Sequence, residues 1–244
     1  MKQTGYQERF YRDWVGASEL IHNRIIVGET DILISTDKSV ESDFLTGKIK
    51  HYRAYIEDYI KKDKNFLTSL VPIDVDNDAP FIVKDMAAAT KIAGVGPMAA
   101  VAGAIAEYLG QDLSGRCKEI IIENGGDIFL KTRKTRHIGI FAGTSPFSKK
   151  IRISIEPKEP SLGICTSSGT VGHSLSFGKS DATVIIAKSA ILADALATRV
   201  GNIIQDATCL GKATEFLKKI DGAKGALLII DSSMCVWGDI KIMK

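Results

Sequence analysis

The sequence predicts an α/β (α+β) fold of mainly antiparallel sheets with helices packed on them, in one domain spanning residues 1–244. Three observations predict it. Short Ile- and Val-rich runs, such as Glu119-Ile-Ile-Ile-Glu123 and Thr183-Val-Ile-Ile-Ala187, have the length and composition of buried strands. Segments with apolar residues at helical spacing lie between such runs. Asn124-Gly125-Gly126 joins two apolar runs directly, which is the signature of a hairpin and hence of antiparallel neighbours. No repeat, linker or low-complexity tract divides the 244 residues, and a single domain of this size buries roughly 70–75% of its unfolded surface.

Each element follows in order. Phe10, Arg12 and Trp14 alternate loosely, and residues 24–27 and 31–35 form two β arms about Gly28-Glu-Thr30. The period then changes: Phe44, Ile49, Tyr52, Ile56, Tyr59 and Ile60 recur at helical spacing among charged residues, predicting an amphipathic helix over 41–62. The stretch from Pro72 to Pro80 breaks it. Residues 86–109 form an alanine-rich helical block interrupted at Gly94-Val95-Gly96-Pro97, where Pro97 suits the first turn of a new helix. Strands at 119–123 and 127–131 flank the Asn-Gly turn, for which a type I′ geometry asks positive φ at both central residues. Further strands fall near 137–142 and 151–156. The strand at 183–187 runs into a helix from Ser189 to about Gln205, a shorter helix covers 213–219, and strands at 226–230 and 235–242 close the chain.

Composition excludes several function classes. The 32 basic and 29 acidic residues are interspersed, for a net charge of +3, so no basic stripe asks for nucleic acid. No run of about 18 apolar residues and no N-terminal apolar core occurs, which predicts neither a membrane partner nor export. Cys117, Cys165, Cys209 and Cys235 lack metal or disulfide spacing and read as reduced core thiols of a cytoplasmic protein. Exposed strands make a homo-oligomer the base-rate expectation.

Four segments could carry chemistry. Glu123-Asn-Gly-Gly-Asp127 puts bare backbone and two carboxylates at a hairpin tip, beyond what a turn needs, although taken alone it reads first as a tight turn with solvated acids. Gly94-Val-Gly-Pro-Met98 precedes a helix whose N-terminal amides suit a phosphate, although its spacing is neither Rossmann nor P-loop, and an Ala/Gly helix packed tightly in the core is the equal alternative. Gly163-Ile-Cys-Thr-Ser-Ser-Gly-Thr-Val-Gly-His173-Ser reads as a polar, flexible loop in which Thr166, Ser167, Ser168 and Gly169 could bond a ligand; the context departs from G-x-S-x-G, which makes a serine hydrolase a minor reading. Asp194 and Thr198, four apart on a predicted helix of small residues, put a carboxylate and a hydroxyl on one face, a donor set suited to Mg2+ and a substrate phosphate. Asp194 could equally complement a helix dipole. Asp74-Val-Asp-Asn-Asp78 lacks the glycine of a calcium loop and reads as a solvated acidic loop, and His22, His51 and His137 read as surface or structural residues.

In order along the chain, Glu123-Asn-Gly-Gly-Asp-Ile128, Thr166-Ser-Ser-Gly169 and Ala187-Lys-Ser-Ala-Ile-Leu-Ala-Asp-Ala-Leu-Ala-Thr198 resemble the motif set of the ApbE-like flavin transferases (FAD:protein FMN transferase), in their short cytoplasmic branch. The resemblance implies an ApbE-like fold, with Asp194 and Thr198 as Mg2+ ligands. It implies a site for FAD or FMN lined by Asn124, Gly125, Gly126, Asp127, Thr166, Ser167, Ser168 and Gly169, with Gly94 and Gly96 as further cofactor-binding candidates. The implied partners are a nucleotide and an acceptor protein whose threonine hydroxyl takes FMN, with Asp194 or His173 as the base. Where full transferases carry a Lys-Gly-Tyr element this chain reads Ile92-Ala-Gly-Val-Gly-Pro-Met-Ala-Ala100, and the segment after His173 is shortened. Two alternatives to transfer therefore stand: a non-catalytic ligand-binding relative, and a metal-dependent hydrolase of another phosphorylated substrate.

Overall fold

A computed structural model describes residues 17–157, 160–170 and 176–243. The alternation at Phe10, Arg12 and Trp14 lies outside them. Strands β1 (Ile21–Val27) and β2 (Thr30–Thr36) form the expected N-terminal hairpin. The helices α1 (Ser42–Lys62), α2 (Asn65–Thr68) and α3 (Phe81–Ala93) follow, then a 3-10 turn at Pro97–Ala100 that leads into α4 (Val101–Leu113). Next come β3 (Ile120–Asn124), β4 (Asp127–Lys131), β5 (Arg136–Gly139), β6 (Arg152–Ile155), β7 (Leu162–Ser167) and β8 (Ala182–Ala187). The chain ends with α5 (Ala190–Ile203), α6 (Cys209–Leu217), β9 (Ala223–Ile230), β10 (Ser233–Gly238) and β11 (Lys241–Met243).

The strands form one sheet in the order β1-β2-β3-β4-β7-β8-β9-β10 and a second in the order β11-β6-β5, and the pairings are antiparallel. Both faces of the large sheet are covered. Ile120, Ile122, Phe129, Cys165, Ile185 and Leu228 pack with the helices. Ile121, Ile128, Ile164, Val184 and Ile229 point the other way, with Ile138, Ile153 and Ile155 of the small sheet. Burial on both faces explains why these strands read as continuous apolar runs rather than as alternations.

Several boundaries differ from expectation for local reasons. Helix α3 starts directly after Pro80 rather than at 86, because Ile82 and Val83 already belong to its buried side. The expected strand over 235–242 divides at Gly238, where φ is +81°, and its second part crosses to the small sheet as β11. Strand β7 falls in what reads as a polar loop; Leu162 and Ile164 pack on one sheet face and Cys165 on the other. Only Cys117 and Cys165 are buried; Cys209 and Cys235 are half-buried, and all four are free thiols. Among the described residues no single helix is long and apolar enough to cross a membrane.

Candidate functional site

The site begins at the β3–β4 hairpin. Asn124 pairs with Asp127, so the two-residue turn is Gly125-Gly126, with φ of +71° and +104°, and not Asn124-Gly125. Two glycines meet the demand for positive φ without strain. Asn124 is thereby kept as the last residue of a strand. Its buried side chain donates from Nδ2 to the Ala102 carbonyl at 3.1 Å, and Glu123 Oε1 accepts from the Gly126 amide at 2.8 Å.

Asn124 thus ties the hairpin to the first turn of α4, and the next residue ties α4 to α5. The Gly103 amide donates to Asp194 Oδ2 at 2.9 Å. A Cβ on Gly103 would stand 2.3 Å from the Ala190 carbonyl oxygen and 2.8 Å from Asp194 Cβ, so only glycine permits this approach. One turn further along α4, buried Glu107 accepts the Ala190 amide on Oε2 at 2.7 Å. The Ala190 carbonyl in turn accepts the Cys165 thiol of β7 at 3.4 Å.

Two carboxylates meet at this junction. Asp127 is buried, and Asp194 keeps only partial contact with solvent. Burial, and then the neighbouring Asp127 charge, push the Asp194 carboxyl well above the usual carboxylate range, while the Gly103 and Ala102 amides favour its ionised form. The Cys165 thiol lies within hydrogen-bonding reach of Asp127; burial, followed by the Asp127 and Asp194 charges, raises it well above its ordinary value. Burial also raises Glu107, against the opposing hydrogen bonds from Ala190 and Gln111. Like charges held close in a poorly solvated place favour a proton or a cation between them.

The other sequence candidates divide. Thr166, next to last in β7, lies beside the hairpin, its carbonyl oxygen 3.9 Å from where a Gly126 Cβ would stand, and Ser167 Oγ lies 3.4 Å from the Cβ position of Gly201 on α5. Ser168 Oγ accepts from the Thr170 amide at 3.1 Å, and the Gly169 amide donates to the Ser180 carbonyl at 2.8 Å, which fastens this segment to the start of β8. Thr198 is half-buried on α5, one turn beyond Asp194. Gly94 is the left-handed cap of α3, and Gly96 lies against the Ser69 carbonyl, so the contacts of both are with the helix end and the α2–α3 loop. His173 lies outside the described residues.

The acidic loop is tied by surface ion pairs, Asp74 with Lys91 at 2.8 Å and Asp76 with Lys62 at 3.0 Å. His22 Nδ1 bonds Ser35 Oγ at 2.8 Å and His51 meets the Tyr55 ring edge to face, as surface or satisfied structural roles predict; His137, half-buried on β5, departs from that expectation, because its buried Nδ1 has no hydrogen-bond partner among the described residues. Among the described residues no group of three or more His, Cys, Asp and Glu could hold a metal. A cation at this junction would therefore complete its shell with hydroxyl, carbonyl, water or ligand oxygens, as Mg2+ does.

Sequence reading missed Gly103, Glu107 and Cys165. Glu107 did leave a signal, as the lone charge in Ala99-Ala-Val-Ala-Gly-Ala-Ile-Ala-Glu107.

Comparison with known proteins agrees with this architecture. The profile of the family described as AbpE bacteria matches residues 12–217. A UPF0280 protein of Methanococcus aeolicus is 47% identical over 212 residues, covering 83% of this chain and 85% of that protein. One from Methanocaldococcus jannaschii is 46% identical over 213 residues, covering 82% and 84%. Among solved structures, the flavin transferase ApbE from Vibrio cholerae superposes with a TM-score of 0.61 at 13% identity, over 90% of this chain and 96% of that one. The Pseudomonas stutzeri flavinyl transferase ApbE, in its apo form, gives 0.63 at 12% identity over 89% and 93%. At such identities the likeness is one of fold.

Proposed function

This chain belongs to the family described as AbpE bacteria and has the ApbE fold, and from that premise we propose that it binds a flavin nucleotide, FAD or FMN, or a similar phosphate-bearing ligand, together with Mg2+. One observation carries the reading: the hairpin bearing Asp127 and the helix bearing Asp194 are fastened to the same turn of α4, through Asn124 to the Ala102 carbonyl and through the Gly103 amide to Asp194, which brings the two carboxylates to one junction. That arrangement is unfavourable in the bare protein and is relieved by a divalent cation. Asp194 and Thr198 would hold the cation, with Asn124, Gly125, Gly126, Asp127, Thr166, Ser167, Ser168 and Gly169 around the nucleotide. The cation, when bound, supplies neutralising charge to the ligand's phosphates.

The chain's own residues do the positioning. Gly103 orients the Asp194 carboxylate by its amide, and Asn124 fixes the hairpin to the same turn of α4. In the full reaction a threonine hydroxyl of an acceptor protein attacks the FMN phosphorus of FAD. The new O–P bond replaces the pyrophosphate P–O bond, AMP leaves, and the hydroxyl proton passes to a base. Asp194 and His173 are the candidates for that base. In this reading the protein works in the cytoplasm with a nucleotide and an acceptor protein, and not with nucleic acid or membrane.

A second reading, binding without turnover, has its own support. Residues 92–100 lack the Lys-Gly-Tyr element, and Gly94 and Gly96 serve as a helix cap and a packing point. One experiment separates the readings: incubate the protein with FAD, Mg2+ and a threonine-containing acceptor, measure binding by calorimetry, and weigh the acceptor. An FMN-sized mass gain supports transfer, and heat of binding without mass gain supports the binding protein. Mg2+-dependent pyrophosphate cleavage with an unlabelled acceptor identifies a hydrolase, and absence of nucleotide binding overturns both leading readings.

A further inference from the structure

We propose that Glu107 is a positioning residue for the candidate cation site: its carboxylate fixes the start of α5 and thereby sets where Asp194 stands opposite Asp127. Helices α4 and α5 are joined by two hydrogen bonds, the Gly103 amide to Asp194 Oδ2 at 2.9 Å and the Ala190 amide to Glu107 Oε2 at 2.7 Å. Residues 103 and 107 lie one turn apart on α4, and 190 and 194 lie one turn apart on α5. The two bonds are therefore successive rungs of one antiparallel contact. Sliding α5 along α4 by a turn would break both.

Capping alone does not account for Glu107. The N-terminus of α5 already has a cap, since Ser189 Oγ accepts the Leu192 amide at 3.2 Å. The Ala190 amide is one of the first-turn donors without an intrahelical partner, and water could satisfy it if the helix end were open. Here it is closed, and a carboxylate only 5% exposed is spent on it. A buried carboxylate at an apolar helix interface costs stability unless its bonds are made. Both Glu107 oxygens are used, Oε1 by Gln111 Nε2 at 3.2 Å and Oε2 by Ala190.

The same residue Ala190 also accepts the Cys165 thiol, and that thiol reaches Asp127. Glu107 thus stands at one end of a continuous chain of contacts, through the first residue of α5 and β7, to the carboxylate that faces Asp194. It touches neither carboxylate itself.

This inference rests on the reading of Asp194 as a cation ligand, and its test separates the two. Mn2+ replaces Mg2+ as the probe on the full chain, and its affinity is measured by the loss of the free-ion electron paramagnetic resonance signal. Glu107→Gln keeps an oxygen acceptor without charge; Glu107→Asp keeps the charge but withdraws the acceptor by one methylene. Positioning predicts that Gln stays within about twofold of wild type while Asp weakens Mn2+ about tenfold, at the low end of losses for groups that orient metal ligands. Equal affinities in both variants, or a larger loss with Gln than with Asp, overturn it. Amide exchange of residues 192–196 gives a second readout independent of metal: faster exchange in Glu107→Asp alone supports positioning, and unchanged exchange overturns it. If wild type binds no Mn2+, the cation reading of Asp194 fails and the exchange measurement still decides the role of Glu107.

Discussion

The backbone amide of Gly103 donates to Asp194 Oδ2 at 2.9 Å, so the candidate carboxylate on α5 is held by the bare backbone of α4. Gly103→Ala should separate the helices, because the new methyl would stand 2.3 Å from the Ala190 carbonyl oxygen. Overpacking of this kind typically costs about 1–3 kcal/mol. The expected outcome is a lower urea midpoint together with weaker Mg2+ stabilisation. A Gly103→Ala protein with the wild-type midpoint would show that α4 and α5 have room to spare.

Asp194→Asn should make the metal-free protein more stable. The Asp194 carboxyl is raised above 3.8 in the folded state by burial and by Asp127. Its contribution to stability is therefore fully present below about pH 4 and is lost as pH rises towards the folded value, at about 1.4 kcal/mol for each pH unit that separates the unfolded and folded values. Asparagine keeps an acceptor for the Gly103 amide without that loss. The Tm difference between variant and wild type should grow from pH 4 to pH 8, whereas Mg2+ should raise the Tm of wild type only. A variant less stable than wild type at pH 8 without Mg2+ contradicts the electrostatics.

How legible the site was depended on the range of each contact. The α1 helix, the β3–β4 hairpin, β8 and α5 follow from periods and turn residues that act over a few positions. The hairpin register did not, since Asn-Gly and Gly-Gly both satisfy a two-residue turn, and the choice depends on Asn124 finding Ala102 across the fold. Strand β7 escaped because Thr166-Ser-Ser looks like a loop, although Ile164 and Cys165 face opposite cores. The glycines at 94 and 96 read equally as phosphate-directed or as packing positions, and in the structure they cap α3 and pack on Ser69, because a glycine reports a backbone constraint without naming its cause. Asp194 was visible; Gly103, Glu107 and Cys165, which hold or neighbour it, make their contacts between separate elements.

Arg136, 2% exposed, lies between Glu119 at 2.9 Å and Glu19 at 2.8 Å, remote from the candidate site in the fold's second layer. Burial pushes the Glu119 carboxyl up, but hydrogen bonds from Arg136, Thr132 and the Arg133 amide outweigh it and hold it below 4.5. Its contribution to stability is thus present above about pH 4.5 and lost as pH falls through the lower folded value. Glu119→Gln should cost less than the roughly 3–5 kcal/mol lost when a buried charge is left without a partner, because Glu19 still pairs with Arg136 and glutamine keeps an oxygen acceptor. It should also flatten the acid limb of a plot of urea midpoint against pH. A variant whose acid limb matches that of wild type would assign the limb to other carboxyls.

Asn124→Asp tests the link between hairpin and helix. Asn124, 7% exposed, donates from Nδ2 to the Ala102 carbonyl at 3.1 Å. An ionised carboxyl has no proton to donate, so the substitution sets oxygen against oxygen and adds a third negative charge beside Asp127 and Asp194. The half-buried Ala102 carbonyl keeps its partner within α4, so the loss, about 1–3 kcal/mol, comes from the oxygen–oxygen contact and the added charge. The introduced carboxyl should titrate above its ordinary range, because its protonated form recovers an O–H donor for Ala102 and sheds the repulsion. The loss is therefore expected to be large at pH 8 and small at pH 4, read from urea unfolding at both. Mg2+ works in the opposite sense: a cation at Asp194 screens all three carboxylates, so its addition at pH 8 should stabilise Asn124→Asp by more than it stabilises wild type. Equal stabilisation of the two proteins would place the cation away from the hairpin.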